Sequence, residues 1–346
     1  MVNPKKNTVL NYTALNQGLS SKEIFDGLNF PGGYSSLKRV LVHFTAEKLL
    51  VTRGQGKATK YYLSPGYELL YPIPVDLYFE TEMDDRPIKP GFNLSIIGDA
   101  LSKVELFTPE EAEKLVHLNA QFQSNRSKLS EYQVNQEIER VSIDLCWKSS
   151  QLQGCQYSLL QTEQLVQTEI TAADNTITDA KMIMNHWEAL QFAFFPSSYF
   201  SPIAMDKIEE VYHLLISDTR HYPAIRTCRA GIVGTTYKPP QDPDQLAKAC
   251  DQLCDLINSR DSIFEKALLF LVLIPYIQPF TEGNNSVSRI VASAVLYEKG
   301  YCPISFRTMD SALYKKAMLL FFEQNNFNAI KQLFIREFEF AVNTYF

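Results

Sequence analysis

The 346-residue chain is poor in histidine, with five in all, so few side chains are on hand to move a proton near neutral pH. Its six cysteines include no C-x-x-C pair, which removes the usual sequence sign of a zinc or dithiol site. Long apolar runs are missing too: the longest, Ala267 to Ile274, is too short to cross a bilayer. The opening residues, MVNPKKNTVLNYTALNQ, lack the apolar stretch of a signal peptide. There is no basic excess, because 33 Lys and Arg against 39 Asp and Glu leave a net charge of −6. That excludes a uniformly basic nucleic-acid coat but not a local basic patch. From these absences we expect a reduced, soluble, cytoplasmic protein with no membrane contact and no structural metal.

Aromatic rings, in contrast, are plentiful: 22 Phe and 18 Tyr can fill a large core. A hydrophobic fraction of 45% with 21% charged residues excludes wholesale disorder. At roughly 150 residues per domain, the length predicts about two domains. Charge is divided unevenly between them. Residues 1–70 hold nine Lys/Arg and four Asp/Glu, a surplus of +5, so the remainder carries −11. A small basic module on an acidic body is the expectation. Cys250 and Cys254 share one helix face with Leu246, Leu253 and Ile257, where free cysteine packs as a small hydrophobe.

Ser20 and Ser21 before Lys22-Glu23-Ile24-Phe25 mark a helix start. After Pro31-Gly32-Gly33, residues 35–50 repeat Leu37, Val40, Leu41 and Phe44 at helical spacing. Leu50–Arg53 and Lys60–Leu63 read as strands around a Gly54-Gln55-Gly56 turn. Helix, helix and basic hairpin form the pattern of a winged helix-turn-helix, assigned to residues 1–66. Such a module would offer DNA Lys38 and Arg39 on its second helix and Arg53, Lys57 and Lys60 on its wing. The same module could instead dock a protein. Residues 67–130 read as a Pro-punctuated helical connector. From Glu131 the chain is mostly helical, with helices predicted at 179–192, 205–217, 242–257, 263–274, 283–299 and 310–322. Ile225–Pro240, IRTCRAGIVGTTYKPP, interrupts them and reads as a hairpin or flap. The aromatic tail, with Phe321, Phe322, Phe327, Phe334, Phe338 and Tyr345, requires either a helix packed on the core or a homodimer seam.

The stretch richest in chemistry is Ile277 to Arg289, IQPFTEGNNSVSR. An apolar helix ends, a loop carries Glu282 and Gly283, and a new apolar helix begins. A Gly-bearing turn into a helix exposes free N–H groups that favour an anion such as phosphate. Glu282 could hold Mg²⁺ there, and Arg289 could reach a phosphate oxygen. A plain interhelix turn capped by Asn or Ser fits the same residues.

This stretch resembles the signature loop of Fic domains, H-x-F-x-[DE]-G-N-G-R-x-x-R, with Phe280, Glu282, Gly283, Asn284 and Arg289 on matching positions. Asn185-His186-Trp187-Glu188-Ala189-Leu190 resembles the family's N-Y-x-x-A-L helix. Ile225–Pro240 resembles its β-hairpin flap, including Gly231, Ile232, Val233, Gly234 and Tyr237. Ser149–Gly154 resembles the inhibitory motif [ST]-x-x-x-E-[GN]. The resemblance implies a mainly α fold: an all-helical Fic core with a β-hairpin flap over residues 131–346, beside a small α+β winged-helix domain. It implies ATP with Mg²⁺ on Glu282, phosphates at Phe280–Ser286 and Arg289, and AMP transfer to a protein hydroxyl.

The chain departs from the pattern at its ionisable positions. Gln278 stands where the general base should be, and losing such a base typically costs about 10²–10⁴ in rate. None of the five histidines lies near it in sequence, and His221, just ahead of the flap, is the one to examine. Asn285 replaces the second glycine, and Ser286 replaces the first arginine with a neutral hydroxyl. Gln153 replaces the inhibitory glutamate, leaving at best a neutral–charged hydrogen bond between Gln153 and Arg289. The expectation is a degenerate Fic domain with weakened nucleotide binding, weak or absent transfer, and a regulatory or binding role. An active transferase using altered chemistry and a dimerisation scaffold are the alternatives.

Overall fold

A computed structural model describes residues 4–28, 30–89, 91–194, 199–216 and 224–346. The chain opens with α1 (Pro4–Leu15), α2 (Ser21–Leu28) and α3 (Tyr34–Ala46), followed by strands β1 (Leu50–Arg53) and β2 (Lys60–Leu63). The strands pair antiparallel from Leu50 opposite Leu63 to Arg53 opposite Lys60. Ser20 starts α2 as a capping box: its hydroxyl accepts from the Glu23 N–H, and its own N–H donates to the Glu23 carboxylate. Both strands coincide with their sequence assignment, whereas α1 was not anticipated. Leu37, Leu41 and Phe44 bury one face of α3, and Ser35, Ser36, Lys38, Arg39 and Val42 remain exposed.

Short helices α4 (Tyr67–Leu70) and α5 (Val75–Phe79) lead to α6 (Pro109–Arg126), which Thr108 and Glu111 cap reciprocally. Then come α7 (Glu131–Gln151), α8 (Leu159–Thr168), α9 (Ile177–Phe194), α10 (Met205–Leu215), α11 (Pro243–Ser259), α12 (Ile263–Ile277), α13 (Asn284–Glu298), α14 (Ser311–Gln324) and α15 (Asn328–Tyr345). The fold is mainly α, as the residue pattern indicated, with one small hairpin among the described residues. No helix among the described residues is long and apolar enough to cross a membrane.

The centre of the core is α12 against α13. From Ala267 through Ile277 every α12 residue is buried, and Val287 through Leu296 are buried along α13. A helix apolar on all sides is stable only inside other helices. The tail rings Phe321, Phe327, Phe334, Phe338 and Tyr345 join this core, which leaves them no part in a dimer seam. Cys250 is buried in the same core and burial pushes its thiol up to about 12, as suits an inert apolar filler.

One sequence assignment is corrected. Residues 225–240 form no strand, and β1–β2 is the only sheet among the described residues. Side chains take the place of a ladder. Arg226 donates to the carbonyls of Cys228 (2.7 Å) and Pro240 (2.7 Å), tying the two ends of the flap together. Gln241 donates to Ala230 and Pro239 carbonyls. Pro239 and Pro240 have no N–H to contribute to a ladder.

Candidate functional site

The site is built where α12 stops. Pro275 has no N–H for the carbonyl four residues back, and the helix ends within a turn of it. Gln278 caps it in the left-handed region, φ 53°, an unusual place for a residue with a side chain. Its own amide holds it there. Nε2 donates to the Pro275 carbonyl at 2.8 Å, and Oε1 accepts from Asn284 Nδ2 at 2.8 Å. The Gln278 carbonyl accepts from Arg226 Nε at 2.6 Å, and the Arg226 N–H donates to the Pro279 carbonyl. Arg226, passed over in the sequence, therefore fastens the flap to the loop.

Asn284 closes the loop from the other side. Its Oδ1 accepts from the Phe280 N–H at 3.0 Å and its Nδ2 donates to the Phe280 carbonyl at 2.9 Å. Phe280 is fully buried and stacks on Tyr212 at 4.3 Å. Gly283 precedes α13 with φ +72°, where a Cβ would be strained. Glu282 is exposed, and no group of three or more His, Cys, Asp or Glu occurs among the described residues. Mg²⁺ is commonly held by one or two carboxylates together with substrate phosphates, and Glu282 is the carboxylate this loop could offer.

Beneath the loop lies a polar knot centred on Ser286, which is 1% exposed. His186, 100 positions earlier, places Nε2 3.0 Å from Ser286 Oγ and Nδ1 2.8 Å from the Met182 carbonyl. A carbonyl only accepts, so Nδ1 carries the proton and the bare Nε2 accepts the Ser286 hydroxyl proton. Burial, with Arg289 nearby adding to it, lowers the His186 pKa to about 4, so the ring is neutral. The Ser286 oxygen in turn receives hydrogens from Gln153 Nε2, Ser149 Oγ and Arg289 Nη2.

Arg289 is 1% exposed. Its Nε and Nη2 donate to Ser149 Oγ at 3.2 and 2.9 Å, and Nη2 reaches the Ser149 carbonyl at 3.3 Å. The expected Gln153–Arg289 bond is thus replaced by two others: Gln153 holds Ser286, and Ser149 holds the arginine. Among the described residues no carboxylate lies within 4 Å of the guanidinium, and Nη1 makes no hydrogen bond. Burial pushes its pKa down, yet a guanidinium keeps its charge in proteins.

Arg289 faces a cavity of about 520 Å³ walled by the end of α7, the flap, the start of α13 and α14. Of the predicted residues, Gln153, Ile232, Val233, Asn285 and Arg289 line it. Gln278, Phe280, Glu282, Gly283, Asn284 and Ser286 do not; they shape the loop or lie behind the wall. Gly154, φ +98°, turns the chain after α7, and Ser149 sits one helical turn earlier. Gly231 is open on its Cβ side, Gly234 turns the flap at φ +93°, and Tyr237 is buried on Tyr276. The flap tip is held from the connector: Arg86 Nη2 donates to the Gly234 carbonyl at 2.8 Å, and its Nη1 pairs with Oε1 of buried Glu323 at 3.4 Å.

On α3, Lys38 lies over the Tyr34 ring at 4.8 Å, and Arg39 points to solvent. Arg53 stacks on Tyr62 at 4.8 Å, while Lys60 is paired with Glu23 at 2.7 Å. That ammonium lowers the Glu23 carboxyl to about 2. The Lys57 side chain and the whole of His221 lie outside the described residues.

Residues 202–296 match the model of the Fic/DOC family. The protein adenylyltransferase Fic of Nematostella vectensis is 24% identical over 178 residues, which are 50% of this chain and 42% of that relative. The chain therefore spans less than half the length of this curated relative. Among solved structures, Fic-1 from C. elegans superposes with a TM-score of 0.59 at 15% identity, covering 68% of this chain and 72% of that one. A Fic domain containing signaling protein from Bacteroides thetaiotaomicron gives 0.57 at 16%, covering 67% and 96%.

Proposed function

We propose, from the match of residues 202–296 to the Fic/DOC model and the likeness of the fold to solved Fic structures, that the chain is a degenerate Fic-domain protein: a nucleotide-binding regulatory protein in which AMP transfer is weak or absent. The domain assignment is residues 131–346 for the Fic part, 67–130 for a connector and 1–66 for a winged helix. One observation carries the reading. The side chain at the base position, Gln278, has both ends of its amide bound within the protein, to Pro275 and to Asn284. It can neither take up a proton nor turn toward a substrate hydroxyl. Glu282 is exposed and lies outside the cavity lining. Incubation with labelled ATP, Mg²⁺ and a cell lysate tests it. Background labelling is expected; robust labelling that disappears in Glu282→Ala would establish the alternative, an active transferase with altered chemistry.

The exposed face of α3 favours DNA as the partner of the N-terminal module. Lys38 and Arg39 supply charge, Ser35 and Ser36 supply hydroxyl groups, and Val42 (66% exposed) offers an apolar contact of the kind a thymine methyl takes. Lys60, held by Glu23, contributes least. Duplex affinity that falls steeply from low to physiological salt, and falls further in Lys38→Ala/Arg39→Ala, is the expected result. Affinity indifferent to salt would make this face a protein-docking surface. A reducing, cytoplasmic setting belongs to the same proposal.

A further inference from the structure

The charges around the cavity specify more than a nucleotide. Two cations line it, Arg289 at its buried end and exposed Lys315 on its rim, and no carboxylate does so among the described residues. Only one edge of the buried guanidinium, Nη1, remains for a ligand, because Ser149 and Ser286 hold the rest. Beside it is the Tyr314 hydroxyl, in a residue 5% exposed, which interacts with the Arg289 side chain and has no other hydrogen-bond partner among the described residues. The Arg289 guanidinium lies 5.8 Å from the Tyr314 ring centroid, so both donors serve the same end of the cavity. Ser286 stands where a second guanidinium would be needed, and its proton is committed to His186.

The rest of the lining is largely apolar. Leu152, Ile232, Met318, Leu319 and Phe322 provide a surface suited to a flat base. A phosphate monoester carries about −1.5 to −2 charges at pH 7, which two cations balance. A triphosphate would bring two further phosphates into a cavity whose lining holds no further cation and no carboxylate among the described residues. Buried charge without a partner is strongly unfavourable.

We infer that the cavity selects a nucleoside monophosphate over the triphosphate, without Mg²⁺, its single phosphate held by Arg289 Nη1 and the Tyr314 hydroxyl. This rests on the nucleotide-pocket reading above and narrows it to a ligand class. It makes the protein a receptor for a nucleotide breakdown or transfer product rather than a consumer of ATP.

Isothermal calorimetry on the full chain with AMP, ADP and ATP, each with and without Mg²⁺, tests the inference. AMP should bind at least tenfold more tightly than ATP, with an affinity unchanged by Mg²⁺. Tyr314→Phe should weaken AMP several-fold while leaving the fold intact by circular dichroism, and Arg289→Met should abolish AMP binding. Tighter binding of Mg·ATP than of AMP would overturn the selectivity and leave the nucleotide pocket standing. No heat with any of the three would overturn the pocket as well. AMP affinity unchanged in Tyr314→Phe and in Arg289→Met would place the phosphate elsewhere and overturn the assignment.

Discussion

Acid should destabilise this fold through one buried imidazole. His186 is 2% exposed, and its pKa falls from the ordinary 6.5 to about 4, chiefly by burial. In the unfolded chain the ring regains its ordinary value. Below pH 6.5 the unfolded state therefore binds a proton that the folded state refuses, so stability is fully present above 6.5 and declines as pH falls toward 4. Each pKa unit is worth about 1.4 kcal/mol, so the loss between pH 7.5 and 4.5 is about 2.5 kcal/mol. Other carboxylates and histidines titrate over the same range, so the measurement must be a difference. Urea unfolding of the wild type and of His186→Gln at pH 7.5, 6.5 and 4.5 avoids the region of the isoelectric point, about 5.5. Glutamine can accept the Ser286 hydroxyl but cannot titrate. At pH 7.5 the variant should be the less stable protein, because repacking around a smaller polar group costs packing. That deficit should shrink by about 2.5 kcal/mol at pH 4.5. A deficit independent of pH would refute the neutral, buried state of His186 and the proton order built on it.

Three further outcomes follow from particular contacts. Asn284→Ala removes both hydrogen bonds to Phe280 and the one to Gln278, and should lower stability by about 2–3 kcal/mol in urea titrations. Arg86→Leu leaves Glu323, fully buried, with the Tyr78 hydroxyl but no cation, and should cost about 3–5 kcal/mol, most of it recovered in Arg86→Leu/Glu323→Leu. Gln278→His should leave labelling from ATP at background, since the clamp position remains Ser286 and the loop loses the amide bridge to Asn284; labelling well above background would show that the base alone was missing.

Much of the helical core was legible because its apolar residues recur at the helical period, while most of the side-chain caps at its helix starts went unread. Thr108, Ser130, Ser158, Asp242 and Ser262 all cap helices through their side chains. The hairpin was legible because Gly54-Gln55-Gly56 separates two short β-forming runs. The first helix was not, since Val9, Leu10 and Thr13 bury only part of it and its polar residues follow no clear face. The flap misled for a physical reason: glycines and β-branched residues signal a hairpin, but a buried arginine can satisfy the same carbonyls without a second strand, as Arg226 does. His186 was set aside for its distance in sequence and lies 3.0 Å from Ser286, because α9 packs directly on α13. Its presence where the related helix has tyrosine was the available signal.

The replacements around Ser286 form a set with a direction. Gln153 donates to Ser286, Ser286 donates to His186, and His186 donates to Met182, so hydrogen bonds run one way along the chain of groups. A glutamate at 153 could not begin that sequence at neutral pH, because a carboxylate has no proton to give. An arginine at 286 could not continue it either, since a guanidinium donates and cannot accept from Gln153. Three positions far apart in sequence thus agree in donor and acceptor role. Each neutral side chain is correct only in the company of the others. Such agreement is what a maintained polar core looks like, and a half-satisfied network would be worse than none. The same neutrality leaves Arg289 as the uncompensated charge of the site, so a network with no carboxylate keeps a buried cation available to an anionic ligand.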